Sequence, residues 1–363
     1  MARPETPSPK AAIGDTGAPA RWTVRALLAW IVPYLQERSV DSPRAVAEIL
    51  LSEVLRIERL GLYMEPEREL DPQELAALRA LVARAGRHEP VQFLVGRWPF
   101  LGRDFAVAPC TLIPRPSTET LVTRALDWYR ARCAEGDPSA RVLDLCTGSG
   151  CIAVSIALGM RAIARPEGLG CKPISAGAKG AEGAGAEVVA RVISSPDSDE
   201  RQSAPAVSAD AAQRRASMTA SDIVPEAVEL ARRNAARHGV EIDFRAGDLF
   251  AAVRAEERFD LIASNPPYVT DEEYAALDAN VRDYEPAIAL RGGRDGLDLV
   301  RRVVAGAERH LATGGLLLVE VGWKHRAPAL ALVSGSAWRD AEILVDGEGI
   351  DRVLVAVRAG LDG

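Results

Sequence analysis

The stretch Val142-Leu143-Asp144-Leu145-Cys146-Thr147-Gly148-Ser149-Gly150 decides the fold of this chain. Its apolar run predicts a strand, its glycines predict a tight turn, and helical spacing begins at Ile152. A glycine turn after a first strand lets the backbone approach a nucleotide-like cofactor, although an ordinary glycine turn has the same composition. The spacing differs from the GxGxxG of dinucleotide-binding folds.

From residue 141 onward, apolar runs alternate with helical segments, which predicts an α/β fold with a parallel sheet wrapped by helices. The predicted strands are 142–145, 218–221, 242–246, 259–264 and 316–321. The predicted helices are 152–158, 225–238 and 297–311. A last pair, 341–345 and 352–357, is predicted to form an antiparallel edge.

Asn265-Pro266-Pro267-Tyr268 follows the strand 259–264 directly, at the sheet edge where open α/β folds bind substrates. A planar NH2 group needs two acceptors to orient its nitrogen, and the Asn265 side-chain oxygen and the Pro266 carbonyl can supply them. Two prolines make the loop stiff, and Tyr268 offers a flat face for stacking. With the glycine loop, this motif indicates methyl transfer to a planar nitrogen, whereas a proline turn alone would require neither Asn265 nor Tyr268.

Two acidic residues follow other strands of the predicted sheet. Asp222 ends the strand 218–221, where it can accept hydrogen bonds from ribose hydroxyls or cap the next helix, and the two roles are compatible. Asp248 precedes Leu249 at the end of 242–246 and could face the adenine of a cofactor. That second signal is weak by itself.

Residues 21–88 show helical spacing and predict a small N-terminal helical domain. Asp41-Ser42-Pro43 and Asp71-Pro72 each place a capping side chain before a proline, which predicts two helix starts. Residues 89–120 form a predicted β-hairpin connector, with extended pieces at 91–94 and 105–108. Residues 118–133 return to helical spacing. Residues 1–20 are predicted to be a flexible tail, and the catalytic domain spans 121–363.

Residues 161–216 are rich in Ala, Gly, Ser and Pro, which predicts a mostly disordered insertion with one candidate strand at 187–193. The net charge of −7 gives no basic field for a phosphate backbone, so we expect no direct nucleic acid binding. The five cysteines form no CxxC pair and the four histidines are scattered, so we expect no metal. Without a signal peptide pattern or an apolar run long enough to span a membrane, we expect a cytoplasmic enzyme.

With these motifs, the chain resembles the peptide chain release factor glutamine methyltransferases, the HemK/PrmC family. Asn-Pro-Pro-Tyr alone also occurs in DNA adenine-N6 and cytosine-N4 methyltransferases. Two further blocks separate these classes: Leu112-Ile113-Pro114-Arg115-Pro116-Ser117-Thr118-Glu119, and Val281-Arg282-Asp283-Tyr284-Glu285-Pro286 with Gly292-Gly293-Arg294-Asp295-Gly296-Leu297-Asp298. The form of Pro114 to Glu119 favours release factors over ribosomal proteins as the substrate.

The resemblance implies a Rossmann-like class I S-adenosylmethionine-dependent methyltransferase domain behind the helical domain and the hairpin connector. It implies transfer of a methyl group from S-adenosylmethionine to the glutamine of the Gly-Gly-Gln motif in class 1 release factors, giving N5-methylglutamine. The helical domain would help to bind the release factor. Implied cofactor contacts are Cys146, Thr147, Gly148, Ser149, Gly150, Asp222, Leu249 and Asn265. Implied substrate contacts are Asn265, Pro266, Pro267 and Tyr268, with Asn265, Pro266 and Tyr268 catalytic.

Several residues keep two interpretations. Arg115 and Glu119 are either structural ion-pairing residues of the connector or direct contacts of substrate or cofactor. Phe100 either walls the pocket or belongs to the core. Cys146 and Cys151 suit redox chemistry or, more simply, small buried positions. Many relatives have glycine where this chain has Cys146, and some have tryptophan at Leu249. Two rival functions remain. One is a DNA adenine methyltransferase. The other is a non-catalytic docking module, and such a module would not need Asn265 or the glycines of the loop.

Overall fold

A computed structural model describes residues 21–164 and 216–360 of the chain. The described chain divides into two compact units. Of the described residues, the first unit holds 21–96 together with Asp278–Tyr284, and the second holds 97–164, 216–277 and 285–360. The first unit therefore extends beyond the predicted boundary at residue 88 and includes a short segment from far along the chain.

The described residues of the first unit form six helices: α1 (Val24–Gln36), α2 (Pro43–Leu55), α3 (Arg59–Met64), α4 (Pro72–Ala85), α5 (Val91–Val95) and α10 (Ala279–Arg282). The Asp71 side chain accepts from the backbone of Gln73 and Glu74, and Glu74 bonds back to Asp71 N–H, so the predicted cap is a complete capping box. The other predicted helix start is confirmed, because α2 begins at Pro43, but its cap is not: Ser42 has φ 47° and its side chain makes no capping bond.

The predicted strand at 91–94 is also wrong, because these residues form helix α5. Gly96 ends this helix at φ 69°, and Leu94 packs into the helical core with α1, α2 and α4. A short apolar run does not distinguish a strand from a buried helical turn, and the tertiary contacts decided here. The hairpin that follows consists of β1 (Arg97–Phe100) and β2 (Arg103–Ala106), so the second predicted extended piece lies two residues late.

The second unit also contains the helices α6 (Glu119–Ala134), α7 (Cys151–Ile163), α8 (Pro225–Arg237), α9 (Asp271–Ala276), α11 (Asp298–His310) and α12 (Arg326–Leu332). In the described residues, 3-10 turns lie at Pro116–Thr118, Leu249–Ala252 and Ala287–Ala289. Its large sheet contains β3 (Arg141–Leu145), β4 (Ser217–Asp222), β5 (Asp243–Ala246), β6 (Phe259–Ser264), β7 (Leu311–Glu320), β8 (Trp338–Val345) and β9 (Asp351–Arg358).

The seven strands run in the order β5-β4-β3-β6-β7-β9-β8. The first five are parallel, whereas β9 pairs antiparallel with β7 and β8 with β9, which confirms the predicted antiparallel pair. The strand order reverses between β3 and β6. Open α/β sheets bind ligands at such a switch point, beyond the carboxyl ends of the strands.

Alternate residues of each strand divide between two cores, as the period of two requires. Leu261 and Ala263 of β6 join a core that contains α6, α7 and α8. Ile262 of the same strand joins a core that contains α11 and α12. Helices therefore cover both faces, which explains why the central strands are almost continuously apolar.

The predicted insertion at 161–216 begins too early, because α7 continues through Ile163 with Met160 and Ile163 in the core. The remaining predictions for this segment, including the candidate strand at 187–193, lie outside the described residues, as does the predicted tail at 1–20. The helix predicted at 152–158 is accordingly longer, and β7 begins five residues before the predicted 316.

Candidate functional site

The register of the sheet brings three predicted site segments together. Leu145 at the end of β3 pairs with Ser221 on β4 and with Ser264 on β6. The next residues along these three strands are Cys146, Asp222 and Asn265. The glycine loop, the acidic residue and the Asn-Pro-Pro-Tyr motif therefore leave the sheet side by side, at the switch point.

A cavity of about 700 Å³ lies beyond these strand ends, within the size range of small-molecule sites. It is lined by eight of the predicted site residues: Cys146, Thr147, Gly148, Ser149, Asp222, Leu249, Asn265 and Pro267. Gly150, Pro266 and Tyr268 are not among its lining residues. The cavity thus joins most of the predicted cofactor contacts with part of the predicted substrate motif.

Asp222 braces the glycine loop. Its Oδ2 accepts from the Gly148 N–H at 2.9 Å, and its Oδ1 accepts from the Val224 N–H at 2.9 Å. Burial raises the pKa of this carboxyl, and the backbone N–H groups oppose that shift. Helix α8 has Val224 at its N-cap position, so Asp222 supports the helix start from two residues upstream. Each carboxylate oxygen can accept a further hydrogen bond, as a ribose contact requires.

Gly150 has a packing role. A Cβ at this position would lie 2.9 Å from the Cβ of Ala231, and the residue has φ 79°. Glycine is therefore required for the close approach of α7 to α8, which is one of the known uses of a glycine in such loops.

Cys146 and Leu249 both line the cavity with positive φ angles, 59° and 50°. Residues other than glycine, asparagine and aspartate seldom adopt a positive φ. Desolvation by the surrounding protein strongly raises the pKa of the half-buried Cys146 thiol, and burial raises the pKa of Cys151 to about 12. Thiols of this kind are poor nucleophiles, which favours the interpretation of both as small packing residues.

Asp144 supports the glycine loop through Thr147, a role that the sequence motif did not predict. It is fully buried, its Oδ2 accepts from the Thr147 hydroxyl at 2.6 Å, and burial raises its pKa to about 7. Asp248 also lines the cavity, and its carboxylate pairs with Arg302 at 2.8 Å. A charged residue at the carboxyl end of an apolar strand was the available signal for Asp144.

Two side-chain hydrogen bonds support the Asn-Pro-Pro-Tyr loop. The Asn265 Nδ2 donates to the Thr118 hydroxyl oxygen at 3.3 Å, and the Tyr268 hydroxyl donates to Glu320 at 2.9 Å. Tyr268 therefore directs its polar end towards a buried carboxylate at the end of β7. Sequence reasoning assigned no role to Thr118 or Glu320, although Thr118 lies within a motif that it quoted.

The glycine-rich block from Gly292 to Asp298 packs against this loop. Gly292 N–H donates to Val269 O and Val269 N–H donates to Leu290 O, both at 2.8 Å. A Cβ on Gly296 would lie 2.3 Å from the Tyr268 carbonyl oxygen. The block thus supports the main chain that carries the motif.

Arg115 and Glu119 each have a structural partner. Arg115 pairs with the buried Glu285, whose Oε2 also accepts from Ile113 N–H at 3.0 Å. Glu119 accepts from Leu101 N–H at 2.9 Å in the turn between β1 and β2. Arg115 also lines the cavity. Phe100 is 1% exposed and packs edge-on against Phe105, so it belongs to the core.

Neither a metal centre nor a membrane-spanning helix is found in the described parts of the chain. Residues 21–164 and 216–360 hold no cluster of three or more His, Cys, Asp or Glu side chains suited to a metal ion. In the same residues, no helix has the length and apolar character needed to cross a membrane.

The cavity has the features that S-adenosylmethionine requires. Backbone at a glycine turn can approach the amino acid portion, the Asp222 carboxylate can accept from ribose hydroxyls, and Leu249 offers an apolar surface for adenine. With the sheet order and the Asn-Pro-Pro-Tyr loop, these features define an S-adenosylmethionine-dependent methyltransferase of the Rossmann-like class I fold.

Comparison with known proteins gives the particular family. Residues 26–96 match the family described as PrmC N-terminal domain, and residues 205–283 match the methyltransferase small domain. The chain is 37% identical to the release factor glutamine methyltransferase of Geobacter sulfurreducens, over 93% of this chain and 98% of that protein. It is 33% identical to the protein of the same name from Koribacter versatilis, over 89% and 94% of the two chains. The chain belongs to the release factor glutamine methyltransferase family.

Proposed function

We propose that this chain transfers a methyl group from S-adenosylmethionine to the side-chain amide nitrogen of the glutamine in the Gly-Gly-Gln motif of class 1 peptide chain release factors. The product is N5-methylglutamine. The names of its relatives support this substrate. The observation that carries the proposal is that Asn265 and Pro267 line the same cavity as the glycine loop.

The chemistry depends on positioning. Bound S-adenosylmethionine supplies a methyl group that is already activated by a positively charged sulfur. Asn265 Oδ1 and the Pro266 carbonyl accept the two N–H groups of the glutamine amide and so orient its nitrogen. As positive charge develops on that nitrogen, the same two acceptors stabilise it. The stiff Pro266-Pro267 segment keeps the acceptors in place before the substrate arrives.

We assign cofactor contacts to Cys146, Thr147, Gly148, Ser149, Asp222 and Leu249, with Gly150 acting through the helix packing described above. The Tyr268 hydroxyl supports the loop through Glu320, and the stacking surface expected of its ring stays a prediction. The helical unit, residues 21–96 with Asp278–Tyr284, recognises the release factor. Because the proposed substrate works on ribosomes, we propose a cytoplasmic location.

The test is a methylation assay with a class 1 release factor and isotopically labelled S-adenosylmethionine, followed by mass spectrometry of the digested product. We expect label on the Gly-Gly-Gln glutamine and none on a release factor whose motif reads Gly-Gly-Ala. Label on duplex DNA, or on another residue of the release factor, would contradict the substrate assignment. Asn265→Ala should lower kcat by about 10²- to 10³-fold with a thermal midpoint close to wild type.

A further inference from the structure

An asparagine side chain serves as an acceptor only when its amide faces the right way. The amide carries an oxygen that accepts and an NH2 group that donates, and the two ends have nearly the same shape. If the Asn265 side chain turned by half a rotation, its NH2 group would face the NH2 group of the substrate amide. One of the two acceptors would then be lost, and two donors would oppose each other.

Thr118 is placed to decide this orientation. Its hydroxyl oxygen lies 3.3 Å from the Asn265 Nδ2, and Thr118 is only 2% exposed. It ends the 3-10 turn Pro116–Thr118 directly before α6, so tertiary packing holds it beside the loop. An oxygen that accepts from Nδ2 keeps the NH2 end of Asn265 turned away from the substrate and leaves Oδ1 facing it.

A hydroxyl can also donate, so its own proton must point elsewhere for this arrangement to hold. Glu320 is the acceptor beside it: the side chain is fully buried, and burial raises the pKa of its carboxyl while the Thr118 hydroxyl opposes that shift. The Tyr268 hydroxyl donates to Glu320 Oε1 at 2.9 Å, and Glu320 Oε2 has no other hydrogen-bond donor among the described residues. Glu320 Oε2 thus offers an acceptor for the Thr118 proton, which leaves the Thr118 hydroxyl oxygen free to accept from Asn265 Nδ2.

We propose that Thr118 is a positioning residue for methyl transfer, which holds Asn265 Nδ2 so that Oδ1 accepts from the substrate amide. The inference rests on the proposed function, because it concerns the same planar-nitrogen acceptor site. Thr118 acts through Asn265 and does not itself touch the reacting atoms in this scheme.

The first experiment compares Thr118→Val, which keeps the shape and removes the hydroxyl, with Thr118→Ser, which keeps the hydroxyl. Thr123→Val, on an exposed turn of α6 where the hydroxyl donates to Glu119 O at 2.9 Å, is the matched control. Single-turnover rates remain measurable for slow variants. We expect Thr118→Val to lower the rate by about 10- to 100-fold, since small misplacements of reacting groups cost up to about 10²-fold.

The other readouts separate positioning from general damage. S-adenosylmethionine affinity by calorimetry should stay within twofold of wild type, Thr118→Ser should restore most of the rate, and Thr123→Val should leave it unchanged. A Thr118→Val enzyme with a wild-type rate, or a Thr118→Ser enzyme as slow as Thr118→Val, would overturn the proposal.

The second experiment uses Asn265→Asp, whose two side-chain oxygens both accept, so that the orientation no longer matters. In that background Thr118→Val should change the rate by less than threefold. An undiminished 10- to 100-fold loss would show that Thr118 acts independently of Asn265 and would overturn the proposal. If the wild-type enzyme labels a different nitrogen, the proposed substrate fails, and the Thr118→Val to wild-type rate ratio on that acceptor still decides the positioning role.

Discussion

Cys146 has a backbone conformation that suits glycine better than any residue with a Cβ. Its φ of 59° lies in the left-handed region, which costs an L-residue about 1–2 kcal/mol. Replacing the cysteine by glycine or by alanine removes the thiol in both cases, but only glycine removes the strain. The difference between Cys146→Gly and Cys146→Ala therefore isolates the backbone term.

The expected magnitude follows from two opposing contributions. Glycine gains about 1–2 kcal/mol from the relieved strain and loses about 0.4–1 kcal/mol because its unfolded chain is more flexible. At mid-range values, Cys146→Gly should thus be more stable than Cys146→Ala by about 0.8 kcal/mol, which corresponds to about 2–3 °C in thermal midpoint. The assay is differential scanning fluorimetry with urea unfolding as a check, in the absence of S-adenosylmethionine, because bound ligand would add its own stabilisation.

Cys133 gives a matched control of opposite sign. It lies within α6, where glycine is less favourable than alanine by up to about 1 kcal/mol. Cys133→Gly should therefore be less stable than Cys133→Ala. If Cys146→Gly proves no more stable than Cys146→Ala while the Cys133 pair behaves as expected, the left-handed strain at Cys146 is refuted.

Three further predictions concern stability. Asp71→Ala should cost about 1 kcal/mol by removing the cap of α4, whereas Ser42→Ala should cost little, because Ser42 makes no capping bond; urea unfolding of both variants tests this, and equal losses would contradict it. Gly150→Ala should destabilise the catalytic unit by at least about 1–2 kcal/mol, because its Cβ would meet Ala231 at a positive φ; an unchanged thermal midpoint would argue against that packing. Burial raises the pKa of Asp144 from 3.8 to about 7, so the folded state binds more protons than the unfolded state in this range, and this carboxyl lowers stability as the pH rises from about 4 to 7. Asp144→Asn should therefore gain stability relative to wild type over that interval, and a pH-independent difference would exclude the buried carboxyl as the cause.

Much of the second unit, which contains the large sheet, was predictable because its sequence signals are local. Strand β6 has the predicted bounds of 259–264, and β3, β4 and β5 agree to within one residue. Apolar runs mark β3 and β6 as buried parallel strands. The errors occurred where local patterns are ambiguous. Residues 91–95 could form a strand or a helix, and the position of Ser42 before a proline could not reveal its left-handed backbone.

The amino-acid sequence by itself determined the class of chemistry, because the glycine loop and Asn265-Pro266-Pro267-Tyr268 are contiguous motifs whose residue types carry their function. The tertiary structure decided how these motifs are supported. Thr118 meets Asn265 across 147 residues, and Tyr268 meets Glu320 across 52. Such contacts depend on strand order and register, which bring distant segments to one edge of the sheet, and no local pattern encodes that proximity.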